Sequence, residues 1–201
     1  MKHLFPVRRL VAFGCAALLA ATGGFAREAR GSELSAADQR WVRKTLAGMS
    51  LEEKAAQMIM VAETGYPRNP RSHAALELLE AVRERGVGGV ILMRSEAGTI
   101  SPLVNQLQAA AGIPLLVAMD MERSLAFRLR RGSVDLPYAM AVGATRSEDA
   151  ARFLGEVTAR EGRALGIHWA FAPVVDVNNN PDNPVINLRS FGEDPELVGR
   201  L

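Results

Sequence analysis

Four continuous apolar runs punctuate the chain, separated by stretches in which apolar residues recur at helical spacing. The runs are MIMVAE (58–63), VGGVILM (87–93), IPLLVAMD (113–120) and IHWAFAPVVD (167–176). Unbroken apolar character, rather than alternation, predicts strands covered on both faces, as in a parallel sheet. Between them SHAALELLEAVRERG (72–86), SPLVNQLQAAAG (101–112) and SEDAARFLGEVTAREGRALG (147–166) predict helices, the first closed by Gly86. Upstream, SELSAADQRWVRKTLAGMS predicts a helix with Ser35 as N-cap and Trp41, Val42, Leu46 and Met49 on its apolar face. Ser50 and Glu53 then stand at capping-box spacing around the short turn LEEKAAQ. The alternation predicts an α/β fold with a parallel sheet, layered by helices or closed into a barrel.

Each run finishes in charged residues: Glu63, then Arg94 and Glu96, then Asp120 and Glu122, then Asp176. Polar groups gathered at the C-terminal ends of parallel strands mark the functional face of such a sheet, above all in a TIM barrel. Two connections, 121–145 and 178–187, are candidate functional loops, the first for its length and the second for its Asn, Pro and Asp content. No internal repeat, linker or second domain is visible.

Charge changes this picture only after its distribution is considered. The 201 residues are 48% hydrophobic and carry a formal charge of +2. Lys2, Arg8 and Arg9 lie within the first 26 residues; setting these three aside leaves 21 of the 24 basic residues against 22 acidic ones. No basic stripe remains to neutralise phosphates, which argues against a nucleic-acid partner. The same first residues have the form of an export signal: MKHLFPVRR is a basic leader, LVAFGCAALLAATGG an apolar core, and Gly24-Phe25-Ala26 a small-residue cleavage site. The core falls short of the roughly 20 apolar residues that span a bilayer. Cys15 makes a poor lipid attachment point, because Phe13 precedes Gly14 and the apolar run continues past the cysteine. The expectation is a signal at 1–26, a periplasmic or secreted domain at 27–201 with no cysteine, and no membrane attachment after cleavage.

Several familiar chemistries fit poorly. Gly86, Gly88 and Gly89 precede a strand and end a helix, whereas a dinucleotide loop must follow a strand and open a helix. They read as helix termination and tight packing. Beyond the signal only His73 and His168 remain, far apart, so neither a Ser-His-Asp triad nor a histidine metal site is supported. No metal or organic cofactor is implied. Asp120, Arg128 and Arg189 form the stronger constellation. A carboxylate ending LLVAMD is costly unless it is hydrogen-bonded, and sugar hydroxyls suit it, while each guanidinium offers a rigid fork of donors. Two readings stand equally on this basis: the three residues hold a ligand, or they pair with one another and hold loops. Asp176 and Asn178 read as loop-fixing Asx residues.

PVVDVNNNPDNPVINLRSFGEDPELV resembles the glycoside hydrolase family 3 pattern of a strand ending in Pro-Val-x-Asp, then Asn-Pro, then Arg-Ser-Phe-Gly-Glu-Asp-Pro. VAMDMERSLAFRL resembles the family's strand-end Asp, with a Glu just after it and an Arg further on; GVGGVIL and LPYAMAVGAT also fit. The resemblance covers about 35–201. It implies a (β/α)8 TIM-type barrel of which this chain holds the first half, about four strands. It also implies a retaining β-glycosidase that needs no cofactor. Carried over by position, Asp120 binds hydroxyls of the non-reducing sugar and Arg189 contacts the same sugar. Arg128 matches the arginine of the bacterial β-N-acetylglucosaminidase branch, which favours N-acetylhexosamine over glucose. The resemblance places the nucleophile and the acid/base beyond Leu201, so the chain alone is expected to be inactive. Family members often carry Gly-Gly after the Glu, where this chain has Arg123-Ser124. The rival readings are a β-glucosidase of the same family, a non-catalytic carbohydrate-binding half-barrel, and an unrelated barrel binding an anion through Arg123, Arg128, Arg130 and Arg131. The oligomeric state is open.

Overall fold

A computed structural model describes residues 34–65 and 69–201; the expected export signal lies outside them. The chain divides into two compact units, one ending at Gly48 and the other starting at Met49.

In the first unit, helix α1 (Ala36–Gly48) starts where the sequence places it. Ser35 Oγ accepts from Asp38 N–H (3.1 Å), and the Asp38 carboxylate accepts from Ser35 N–H (3.2 Å). The reciprocal pair closes two of the donors that a helix start leaves open.

The second unit opens with α2 (Leu51–Ala56), capped as its spacing predicts: Ser50 N–H donates to Glu53 Oε2 (2.7 Å) and Glu53 N–H to Ser50 Oγ (3.2 Å). Then follow β1 (Met60–Gly65), α3 (His73–Arg83), β2 (Gly89–Ser95), α4 (Ala97–Ala110) and β3 (Leu116–Met119). After β3 come α5 (Ala139–Thr145), α6 (Glu148–Ala164), β4 (Trp169–Ala170) and α7 (Pro195–Arg200). The four strands form one parallel sheet in the order β1-β2-β3-β4. The fold is α/β of TIM-barrel type, part of a barrel.

Strand register sorts the side chains into two faces. Val61, Val90 and Val117 share one row, and Glu63, Leu92 and Met119 the next. Leu78 and Val82 of α3 and Ile100, Val104 and Leu107 of α4 pack on this face and make the main core. Ala62, Ile91, Ala118 and Trp169 form a row on the opposite face. There Leu116 and Trp169 remain 50% and 48% exposed. A smaller cluster of Ala139, Val142, Leu154, Phe191 and Val198 joins α5, α6 and α7.

The glycines before β2 serve packing, as expected. A Cβ on Gly88 would sit 1.9 Å from the Gln57 carbonyl oxygen, so only glycine lets the α2 turn lie against β2. Some boundaries differ from the sequence reading. Helix α4 begins at Ala97 rather than Ser101 and carries Pro102 within it. The fourth strand, expected over 167–176, has ladder geometry only at Trp169–Ala170, flanked by His168 N–H to Val117 (2.8 Å) and Phe171 N–H to Met119 (3.0 Å). Past Phe171 the chain meets Pro173, which has no N–H to give a ladder. His168 is structural: its Nδ1 accepts from Val117 N–H (3.3 Å).

Candidate functional site

The site grows from the end of β3. Val117, Ala118 and Met119 are buried and fix the strand in the sheet. Asp120 is the first residue past it, and alternation continues it on the Ala118–Trp169 face, away from α3 and α4. Its side chain is about a quarter exposed. A carboxylate held at a strand end and still reached by solvent suits a ligand better than a core position would.

Arg128 returns to Asp120 through a short loop. The 3-10 turn Leu125–Phe127 is closed by Arg128 N–H to the Leu125 carbonyl (2.9 Å). Ser95 N–H donates to the Arg128 carbonyl (3.2 Å), pinning this backbone to the end of β2. Arg128 Nη2 donates to Asp120 Oδ2 in an ion pair, and its guanidinium lies 4.8 Å from the centre of the Phe127 ring. Its buried Nε has no protein acceptor.

Arg189 arrives from the loop after β4, at the end of a 3-10 turn (Asn187–Arg189). Glu122 meets it in a fork: Nε donates to Oε2 (2.9 Å) and Nη2 to Oε1 (2.8 Å), with the Glu122 side chain only 9% exposed. Nη1 donates to the Val185 carbonyl (3.2 Å). The hydrogen bonding of Arg189 to Glu122 raises the Arg189 pKa most; partial burial opposes it, and the charges of Glu122, Asp120 and Asp176 add to the rise. Asp120, Arg128 and Arg189 therefore share one charged cluster, in which each arginine has its own carboxylate.

Glu122 is the residue that sequence reasoning left out of the site. It appears in the sequence as a strand-end charge and as the Glu that follows Asp120 in the family pattern, with no role attached, and its partner lies 67 positions away. The loop-fixing assignment of Asp176 and Asn178 also needs correction, because the Asx side chains that hold this loop are others. Asn180 Oδ1 accepts from Asp182 N–H (3.1 Å), and Asn183 Oδ1 from Val185 N–H (2.9 Å) and Ile186 N–H (3.3 Å). Asp176 and Asn178 contribute backbone: Ser190 Oγ donates to the Asp176 carbonyl (2.6 Å), and Asn178 N–H to the Gly192 carbonyl (2.8 Å). Fully buried Ser190 thereby ties the Arg-Ser-Phe-Gly motif to the strand exit and fixes Arg189 on its turn.

Of the four arginines in the rival anion reading, Arg128 is committed to Asp120 and Arg123 to Asp135. What the cluster offers is a mixed set of carboxylate lone pairs and guanidinium N–H groups beside a partly open sheet face, the pattern that hydroxyl-rich ligands need. Among the described residues no group of His, Cys, Asp and Glu could hold a metal ion.

Comparisons with known proteins agree with this architecture. The family model described as glycosyl hydrolase family 3 N terminal domain matches residues 50–201. A β-N-acetylglucosaminidase/β-glucosidase of Cellulomonas fimi is 37% identical over 161 residues, which are 80% of this chain and 27% of that protein. Among solved structures, a β-glucoside phosphorylase bound to 2FGlc superposes with a TM-score of 0.74 at 32% identity, over 83% of this chain and 29% of its own. A family 3 β-N-acetylglucosaminidase from a Paenibacillus strain superposes at 0.68 with 34% identity, over 77% and 30%. The chain thus spans under a third of the length of each of these three proteins.

Proposed function

The chain belongs to glycosyl hydrolase family 3, as part of its N-terminal domain, and from that premise we propose that the protein removes terminal, non-reducing, β-linked N-acetylhexosamine by hydrolysis. The observation that carries this reading is the Asp120–Arg128 pair at the end of β3. Arg128 spends Nη2 on Asp120 Oδ2, which leaves the other carboxylate oxygen open to hydroxyl donors. Asp120 accepts bonds from two hydroxyls of the non-reducing sugar, and Arg189, aimed by Glu122, donates to the same ring. These bonds strengthen as the ring flattens toward the oxocarbenium-like state, so they lower the barrier as well as bind.

The reaction runs in two steps with retention. An aspartate nucleophile forms a glycosyl-enzyme, and a separate acid/base protonates the leaving oxygen and then activates water. The protein works outside the cytoplasm, in keeping with the basic and apolar leader at 1–26.

β-Glucosidase activity is the second reading, favoured by the double name of the Cellulomonas fimi relative. Full-length protein given 4-nitrophenyl β-N-acetylglucosaminide or β-glucoside separates the two. The expected result is faster release from the N-acetylglucosaminide, with the β-anomer as first product by NMR. Because one structural neighbour is a phosphorylase, the assay is run with and without phosphate. A requirement for phosphate, or an α-anomer first product, would refute retaining hydrolysis.

A further inference from the structure

Ser124 occupies backbone space that usually belongs to glycine. Its φ is 73° and ψ −174°, a region that L side chains rarely enter, and the residue is fully buried. Such a conformation persists only where the surroundings over-determine it. Here the hydroxyl does so: Oγ donates to the Val134 carbonyl and accepts from Ala126 N–H (3.2 Å). One side chain thus binds both arms of the 121–138 loop, the outgoing arm that leads into the Leu125–Phe127 turn and the returning arm at Val134.

Neighbouring groups reinforce the closure. Arg123 Nη1 bonds the Asp135 carboxylate and the Leu136 carbonyl (3.3 Å), and its guanidinium stacks 4.7 Å from the Tyr138 ring centre. Val134 N–H donates to Glu161 Oε1 of α6 (2.9 Å), anchoring the returning arm to the body of the unit. The head of the loop carries Arg128, so the Ser124 hydroxyl links anchored Val134 to the Asp120–Arg128 pair, beside the Ser95 N–H bond that holds the Arg128 carbonyl.

We propose that Ser124 is a positioning residue: its hydroxyl latches the 121–138 loop and thereby sets Arg128 against Asp120. The consequence for sugar binding rests on the function proposed above; the latch itself does not. Where a glycine would allow this backbone and leave the loop open, serine both adopts it and closes it.

The test uses full-length protein with Ser124→Gly, which permits the same φ without strain and removes the hydroxyl together with the Cβ that carries it. Arg123→Ala is the second variant, since it loosens the same closure at an unconstrained backbone position. Hydrogen exchange across 121–138 without ligand reads the latch, and KM and kcat read the site, with Arg128→Ala as reference. For Ser124→Gly, the loss of two hydrogen bonds should speed exchange in the loop by roughly tenfold and spare the β2 and β3 amides. KM should rise at least about threefold, with a smaller change in kcat. Unchanged loop exchange in both variants overturns the latch. Faster exchange with unaltered KM, while Arg128→Ala is impaired, overturns the positioning role. Faster exchange with neither Ser124→Gly nor Arg128→Ala altering kinetics leaves the latch standing and removes the sugar-site reading instead.

Discussion

Asp120 has two roles in this account, pairing with Arg128 and accepting sugar hydroxyls, so its removal should cost most. Hydrogen bonds to charged groups contribute about 1.5–3 kcal/mol each; losing two through Asp120→Ala predicts a fall in kcat/KM of roughly 10²–10⁴. Arg128→Ala should slow N-acetylglucosaminide hydrolysis by at least about tenfold. For Glu122 and Arg189 the expectation concerns coupling. Because Glu122 fills the Nε/Nη2 fork, Glu122→Ala, Arg189→Ala and the double variant should each lower kcat/KM by about 10–10³, with the double far from additive. Additive losses in that cycle would show two independent roles. The raised Arg189 pKa means its charge adds to stability at every working pH and is lost only as pH rises through a value above the usual arginine range. No limb of the pH–rate profile should therefore titrate with Arg189. Pairing among Asp120, Arg128 and Arg189 was one of the two readings the sequence offered, and Arg128 does pair with Asp120. The partner of Arg189 was not legible: Glu122 reaches it through a fold contact that no spacing along the chain encodes.

At the scale of elements, what reads well is what local chemistry decides. The Ser50–Glu53 box, the cap at Ser35 and the first three apolar runs, as β1, β2 and β3, stand about where the sequence puts them, and Ser72 and Ser147 cap α3 and α6. The 121–145 connection was expected as a bare loop, yet it contains α5 (Ala139–Thr145) and the Leu125–Phe127 turn. Helix α5 escaped notice because AMAVGAT is short and has no capping side chain; a tertiary contact defines it instead. A Cβ on Gly143 would lie 1.7 Å from the Phe191 carbonyl oxygen, so α5 rests directly on the Arg-Ser-Phe-Gly segment. Gly143→Ala should destabilise the protein by about 1–3 kcal/mol, as overpacking does. Gly155 on α6 is exposed and nothing lies within 4 Å of its would-be Cβ. Gly155→Ala should therefore be neutral or stabilise by about 0.5–1 kcal/mol. Thermal melting of the two variants side by side checks the contrast; equal melting temperatures would mean that the α5 contact is not tight.

For the molecule as a whole, the sheet is finished on one face and only partly covered on the other among the described residues. Runs of apolar residues predicted two covered faces, but periodicity cannot say which element does the covering, and Leu116 and Trp169 stand half exposed. Residues 27–201 prepared alone should consequently self-associate, since open strand edges and an apolar face both invite pairing. Size-exclusion chromatography checks this, and a sharp monomer peak with cooperative melting would instead favour a free-standing carbohydrate-binding module. In the proposed function the same face is the wall of the sugar site, with Asp120 at its rim. The most direct measurement is a crystal structure of the full-length protein with N-acetylglucosamine bound. The account predicts two sugar hydroxyls within about 2.5–3.0 Å of the Asp120 carboxylate, with Arg128 and Arg189 donating to the same ring. A sugar bound elsewhere, with Asp120 touching only Arg128, would contradict it.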